Sequence, residues 1–310
     1  EEAYEHNANL AQDNCAQALS PDDVRELKGR CSGEELVKEL ASNSATFSTK
    51  TKFAQEKYLR KKAQKHVQQV VLMRPTVMDL CETYLKQHRA KICGLRFDYL
   101  ANILCQADVR TGGRYLVLDS ACGLVVAAIA QQLCGDGQVY RMFRSSCGEK
   151  ALSELDLGAR RAVVRAVHLD ALRIEDPFSH KWLAPPPEPE PTAAPAEERA
   201  PVEGKQKRAQ QRIDDFRDLQ ARSVDALIIV AGDEDAEVAA EALDAGLQRL
   251  APGGRLVMYG QNLQPMAARQ GMFRASGEFV DVRLIQLFTR EYQVLPMRTH
   301  PVMTAEAMTC

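Results

Sequence analysis

The residues of this chain best placed to do chemistry lie in the run Leu118-Asp119-Ser120-Ala121-Cys122-Gly123-Leu124-Val125, directly after the apolar stretch Tyr115-Leu116-Val117. An acid followed by glycines at alternate positions lets a turn close on a nucleoside-containing cofactor, because glycine tolerates dihedrals forbidden to other residues and leaves room for the ligand. Here the acid, Asp119, and the middle glycine, Gly123, remain. Ala121 and Val125 stand in the other two glycine places, and a β-branched Val is a poor substitute wherever φ must be positive. The turn therefore reads as a degenerate cofactor site.

A second group could do a different job. Lys50, Lys52, Lys57, Arg60, Lys61, Lys62 and Lys65 crowd one stretch in which Glu56 is the only acid. So few acids leave little scope for i,i+4 ion pairs, and such a face can track a phosphate backbone, each neutralised phosphate releasing counterions. A charge run is otherwise a solvated helix surface. Arg298 and His300, bracketed by Pro296 and Pro301, are candidates either for RNA contact or for fixing a turn against a partner chain, and the rigid bracket favours the second. Lys205, Lys207 and Arg208 form a smaller basic group, read as a solvated helix start rather than a nuclear-import signal. His168 reads as a satisfied core histidine.

The elements that must position these residues follow from capping and periodicity. Ser20-Pro21-Asp22-Asp23 and Ser32-Gly33-Glu34-Glu35 each start a short helix, and Thr76 caps another over Thr76–Gln87. Val67–Met73 reads as a strand. From about Phe97, helices alternate with short apolar strands at Tyr115–Asp119, Val139–Phe143, Val163–Leu169, Leu227–Val230 and Leu256–Tyr259, the pattern of a parallel α/β sheet. Val280–Phe288 and Gln293–Leu295 lie too close for a parallel crossover and are expected to pair antiparallel. Five parallel strands closed by such a hairpin make a class I methyltransferase-like Rossmann sheet. The expected organisation is a helical and basic segment over 1–73, the end of a longer N-terminal domain, then a methyltransferase-like domain over 74–310. A disordered insertion at about 184–210, rich in Pro, Glu and Ala, interrupts that domain.

Within that fold the cofactor would be S-adenosylmethionine, and two further places matter. The second strand should end in an acid for the ribose hydroxyls, yet it runs Val139-Tyr140-Arg141-Met142-Phe143-Arg144. After the fourth strand, where an active enzyme carries an acidic or polar motif, Ala231-Gly232 precedes Asp233.

Composition bounds the rest. With 310 residues and 45% hydrophobic content the chain can bury one large core, or one core and a smaller unit. A net charge of -2 and an isoelectric point near 6.4 leave any nucleic-acid contact to local clusters. The nine cysteines are scattered singly, without a CxxC pair, so neither a disulfide framework nor a metal site is expected, and a reducing intracellular compartment is. The chain opens without a signal-peptide pattern, and no apolar run nears the roughly 20 residues needed to cross a bilayer.

Several segments together resemble one family. They are Phe47-x5-Phe53-Ala54-Gln55-Glu56-Lys57-Tyr58 with its basic cluster, Arg96-Phe97-Asp98-Tyr99-Leu100-Ala101, the Ala121-Cys122-Gly123-Leu124-Val125 turn, and Tyr292-Gln293-Val294-Leu295-Pro296-x-Arg298-x-His300-Pro301. Distributed from about Leu19 to Pro301, they are similar to the non-catalytic subunit of the eukaryotic tRNA (adenine-58-N1) methyltransferase. The resemblance implies a subunit without catalytic residues or cofactor of its own, binding tRNA in the nucleus. It further implies an α2β2 heterotetramer in which a sister subunit binds S-adenosylmethionine and supplies catalysis. Two departures stand out: family members carry a larger N-terminal β-rich domain, and they continue beyond His300-Pro301. An active S-adenosylmethionine-dependent RNA methyltransferase with a divergent turn, and a protein scaffold without RNA contact, remain the alternatives.

Overall fold

The computed structural model describes residues 17–67, 72–144, 149–184, 196–294 and 298–302, with 196–203 described by their backbone alone. The chain divides into two compact units, Glu1–Arg74 and Pro75–Cys310.

The first unit holds three helices, α1 (Pro21–Arg30), α2 (Gly33–Ser42) and α3 (Lys52–His66). Ser20 with Asp23 and Ser32 with Glu35 form reciprocal capping boxes, as their spacing predicts. Leu36, Val37, Leu40 and Ala41 of α2 are buried, and Tyr58 of α3 donates a hydrogen bond to the Leu40 carbonyl at 3.2 Å. Gly33 sits where a Cβ would come within 2.7 Å of the His66 carbonyl oxygen, so the start of α2 closes on the end of α3 only because that residue has no side chain. The strand expected over Val67–Met73 does not form in its described part. Leu72 and Met73 are exposed without a ladder partner, and 68–71 lie outside the described residues.

In the second unit α4 (Val77–Gln87), capped by Thr76, and α5 (Phe97–Gln106) precede β1 (Arg114–Asp119). The order continues α6 (Leu124–Gln132), β2 (Gln138–Phe143), α7 (Lys150–Glu154), β3 (Val164–His168), α8 (Leu169–Arg173), α9 (Ala196–Ala221) and β4 (Val224–Val230). Then come α10 (Ala236–Leu247), β5 (Leu250–Tyr259), α11 (Leu263–Ser276), β6 (Tyr292–Gln293) and β7 (His300–Pro301). The five strands are parallel in the order β3-β2-β1-β4-β5, which places the reversal of strand order beside β1 and makes the crevice outside the carboxyl ends of β1 and β4 the ligand position of such a sheet.

Alternation along the strands builds two cores. Tyr115, Val117, Val139, Ile228 and Val230 pack with α4, α5 and α6, while Leu116, Leu118, Tyr140, Met142, Leu227 and Ile229 pack with Phe216 and Leu219 of α9 and Ala239 and Ala242 of α10. Each large aliphatic side chain so buried stabilises the fold by about 1.5–3 kcal/mol.

Two further expectations need correction. The disordered insertion over 184–210 is helical from Ala196 onward: Ala209, Phe216 and Leu219 put a buried stripe on α9, and Gln210 to Asp214 and Gln211 to Asp215 are i,i+4 hydrogen bonds. Residues 185–195 lie outside the described residues. Nor is Val280–Phe288 a strand. It joins no ladder among the described residues and turns at Asp281, whose φ is 57°, and the antiparallel pairing that does form joins Tyr292 to Pro301 and Gln293 to His300. Leu295 of the second expected run lies outside the described residues. The flank is consequently open: β5 ends the sheet, α11 buries no residue, and Val280, Phe288 and Val294 are exposed. Among the described residues no helix is long and apolar enough to cross a membrane.

Candidate functional site

The turn after β1 is intact as a turn and closed as a site. Asp119, only 3% exposed, accepts hydrogen bonds from the backbone N–H groups of Ala121 at 2.8 Å and Val126 at 3.0 Å. Burial pushes its carboxyl above the ordinary carboxylate range, opposed by those N–H groups and by nearby Arg141. The acid is thus spent holding its own loop to the first turn of α6. The left-handed positions fall at Cys122, with φ 56°, and Gly123, with φ 79°. Val125, expected where a positive φ would be strained, instead lies inside α6 and is fully buried. Its cost to a cofactor site is bulk rather than backbone strain.

The chain itself covers this turn. On one side the Sγ groups of Cys93 and Cys122 donate to the Ser120 and Lys91 carbonyls at 3.5 and 3.2 Å, and Tyr259 donates to the Cys93 carbonyl at 3.1 Å. A Cβ on Gly232, just past β4, would stand 3.3 Å from the Cys93 Sγ. On the other side Ala151 N–H donates to the Cys122 carbonyl at 3.1 Å, and a Cβ on Gly123 would meet Leu152 Cβ at 3.3 Å. The space a close-approaching ligand would use at Gly123 is occupied by protein.

At the end of β2, where a ribose acid would stand, Arg144 pairs with Asp170 at 3.2 Å and with Glu241, which also holds Arg173 at 2.8 Å. Arg141, 4% exposed, pairs with Glu149. Cations replace the acid, and their carboxylate partners are already engaged. Asp233, beyond β4, accepts from Asn262 Nδ2 at 2.7 Å. The donor set therefore does not fit S-adenosylmethionine. Sequence reading finds the missing acid, but not the cover from Lys91–Cys93 and Glu149–Leu152, which only the folded chain brings together. Sequence also gives no sign that His168, Asp170 and His180 sit close enough to hold a metal. The His168 and His180 rings instead pack at 4.6 Å, His180 Nδ1 accepts the Trp182 N–H, and Asp170 is held by Arg144.

The seven predicted RNA-contacting cations all belong to α3 or its N-terminal approach, and they divide in two. Lys52, Lys57, Arg60, Lys61 and Lys65 share the exposed face of α3 and form no ion pair among the described residues. Lys50 donates to the Thr46 carbonyl at 3.2 Å, and Lys62 lies over the Tyr58 ring at 5.4 Å. Burial, aided by the ammonium groups of Lys28, Lys62 and Lys65, holds the His66 imidazole below its ordinary pKa. Arg298 and His300 lie in the β6–β7 hairpin, where His300 pairs with Gln293 and Gln293 Nε2 donates to the Arg298 carbonyl at 3.4 Å. The Arg96–Ala101 segment has a structural part: Arg96 pairs with Asp98 at 2.7 Å and donates to the Leu287 carbonyl at 2.8 Å, while Tyr99 OH accepts the Leu287 N–H at 3.1 Å.

The chain is 28% identical over 324 residues to a tRNA (adenine(58)-N(1))-methyltransferase non-catalytic subunit of Dictyostelium discoideum, covering 96% of this chain and 61% of that protein. It is 26% identical over 357 residues to the mouse protein of the same description, covering 97% of this chain and 71% of the relative. Among solved structures, a tRNA (m1A58) methyltransferase, TrmI of Aquifex aeolicus, aligns with a TM-score of 0.42 and 10% identity, over 79% of this chain and 81% of that one. The model of the Gcd10p family matches residues 1–241, and the chain belongs to that family.

Proposed function

We propose that this chain is the non-catalytic, tRNA-binding subunit of a tRNA (adenine-58-N1) methyltransferase. The observation that carries the proposal is the closed turn at Asp119–Val125, in a chain whose relatives bear that description. S-adenosylmethionine and the reacting groups belong to a sister subunit, with two copies of each chain in a nuclear α2β2 complex. This subunit's own residues bind and orient: the exposed face of α3 meets tRNA phosphates, and the open flank of β5, α11 and residues 280–294 receives a partner chain. Exposed Leu263, Met272, Val280, Phe288 and Val294 on those segments support the second role, because large apolar side chains gathered in solvent mark surfaces that a partner covers.

The test is reconstitution with the sister catalytic chain. Wild-type protein is expected to assemble and to support methylation of tRNA. Reversal of Lys57, Arg60, Lys61 and Lys65 to Glu is expected to leave assembly intact while weakening tRNA binding. Methyl transfer by this chain alone, or unchanged tRNA binding in the reversed variant, refutes the corresponding part of the proposal.

A further inference from the structure

The basic group in the middle of α9 is left unexplained by the α3 interface. Lys205, Arg208 and Arg212 are spaced i, i+3 and i+7, so they share one face of the helix. With Ala184 and Gln211 they line a crevice of about 560 Å3. None of the three forms an ion pair among the described residues.

Two features separate this face from an ordinary solvated helix surface. First, the acids of α9 that follow Lys205 are already engaged: Asp214 with Gln210 and Arg217, Asp215 with Gln211 and Arg165, and Asp218 with Arg114 and Arg222. None of these three carboxylates is left to neutralise Lys205, Arg208 and Arg212. Second, Arg212 is held in place rather than free to sweep. Its guanidinium lies 5.8 Å from the Trp182 ring centre, and its Nε is buried without a hydrogen-bond partner.

From this we infer that the α9 crevice is a second RNA-phosphate contact, gripping the tRNA backbone through Lys205, Arg208 and Arg212. The inference rests on the tRNA-binding reading given above and adds to it a site on the other compact unit. A guanidinium pre-oriented on an indole offers its fork to phosphate at little further entropic cost, and the two mobile cations beside it add charge.

The experiment is a fluorescence-anisotropy titration of labelled tRNA into the full chain, alone and with its catalytic partner, across a KCl series. The double variant K205E/R208E leaves the Arg212–Trp182 contact in place. It is expected to lower the salt slope by about two and to weaken binding at least tenfold, with the thermal midpoint unchanged. R212Q is expected to lower the slope by about one and R212K to restore it. A control variant, K38E/K86E, changes net charge equally at exposed lysines elsewhere and is expected to keep the wild-type slope. Wild-type slope and affinity in K205E/R208E, with the α3 reversal still effective, overturn this inference alone, as does an equal loss in the control. Failure of the wild-type chain to bind tRNA in either form overturns both readings together.

Discussion

Restoring the two glycines of the cofactor turn tests whether the site is merely mutated or has been built over. In A121G/V125G the sequence regains Asp-x-Gly-x-Gly-x-Gly, yet both replaced side chains are fully buried. Removing the Val125 side chain gives up about 2–3 kcal/mol of burial, and glycine inside α6 adds about 1 kcal/mol of helix penalty. Ala121 contributes about 1 kcal/mol more. The variant should therefore lose about 4–5 kcal/mol, a large part of the stability of an ordinary domain. It should still not bind S-adenosylmethionine, because Leu152 stands against Gly123, Cys93 covers the other side, and Arg144 fills the ribose acid's place. Urea unfolding gives the stability loss, and calorimetric titration with S-adenosylmethionine gives the binding. Micromolar affinity in a variant of near wild-type stability would refute the reasoning.

Three further outcomes follow from the packing. Gly33→Ala ought to gain up to about 1 kcal/mol from helix propensity, but its Cβ would meet the His66 carbonyl oxygen at 2.7 Å and Val67 Cα at 2.8 Å. A net loss of about 1–3 kcal/mol in urea unfolding is expected, and a stabilised variant contradicts the α2–α3 contact. Burial opposes ionisation of Asp218, but hydrogen bonds from Tyr140, Arg114 and Arg222 outweigh it and hold the carboxyl well below the usual range. A depressed folded-state pKa stabilises the fold above the unfolded value near 4 and is lost as pH falls below it. D218N should cost about 1–3 kcal/mol at neutral pH, and its gap from wild type should narrow in unfolding curves taken below about pH 4; a gap independent of pH removes the assignment. Arg96→Ala releases the Leu287 carbonyl and should raise hydrogen exchange across 280–294 while leaving β1–β4 protected. Unchanged exchange there means that Arg96 does not anchor the flank.

Local chemistry made much of this legible in the sequence. Ser20, Ser32 and Thr76 announce their helices because capping is a contact between residues three apart. The strands from Tyr115 to Tyr259 are short apolar runs between helical patterns, and all five form. The lost glycines and the missing ribose acid are visible because a motif fixes where they should be. What sequence does not carry is contact between distant residues, such as Cys93 on Ser120 or Leu152 on Gly123. Val125 misled for a related reason: the motif shows its place in the turn, but not that α6 begins at Leu124. The Pro-rich composition before Lys205 hid a helix whose buried stripe becomes regular only from Ala209. Val280–Phe288 has the apolar content of a strand and lacks a neighbour to pair with, which no single-segment pattern can report.

The central claim, that the cofactor pocket of this chain is closed while the fold serves binding, meets its most direct test in one calorimetric titration. S-adenosylmethionine is added to the full chain alone and to the chain assembled with its catalytic partner. The account predicts no binding to the chain alone and one site per catalytic partner in the complex. Micromolar binding to the chain alone, or a second site per pair in the complex, contradicts it.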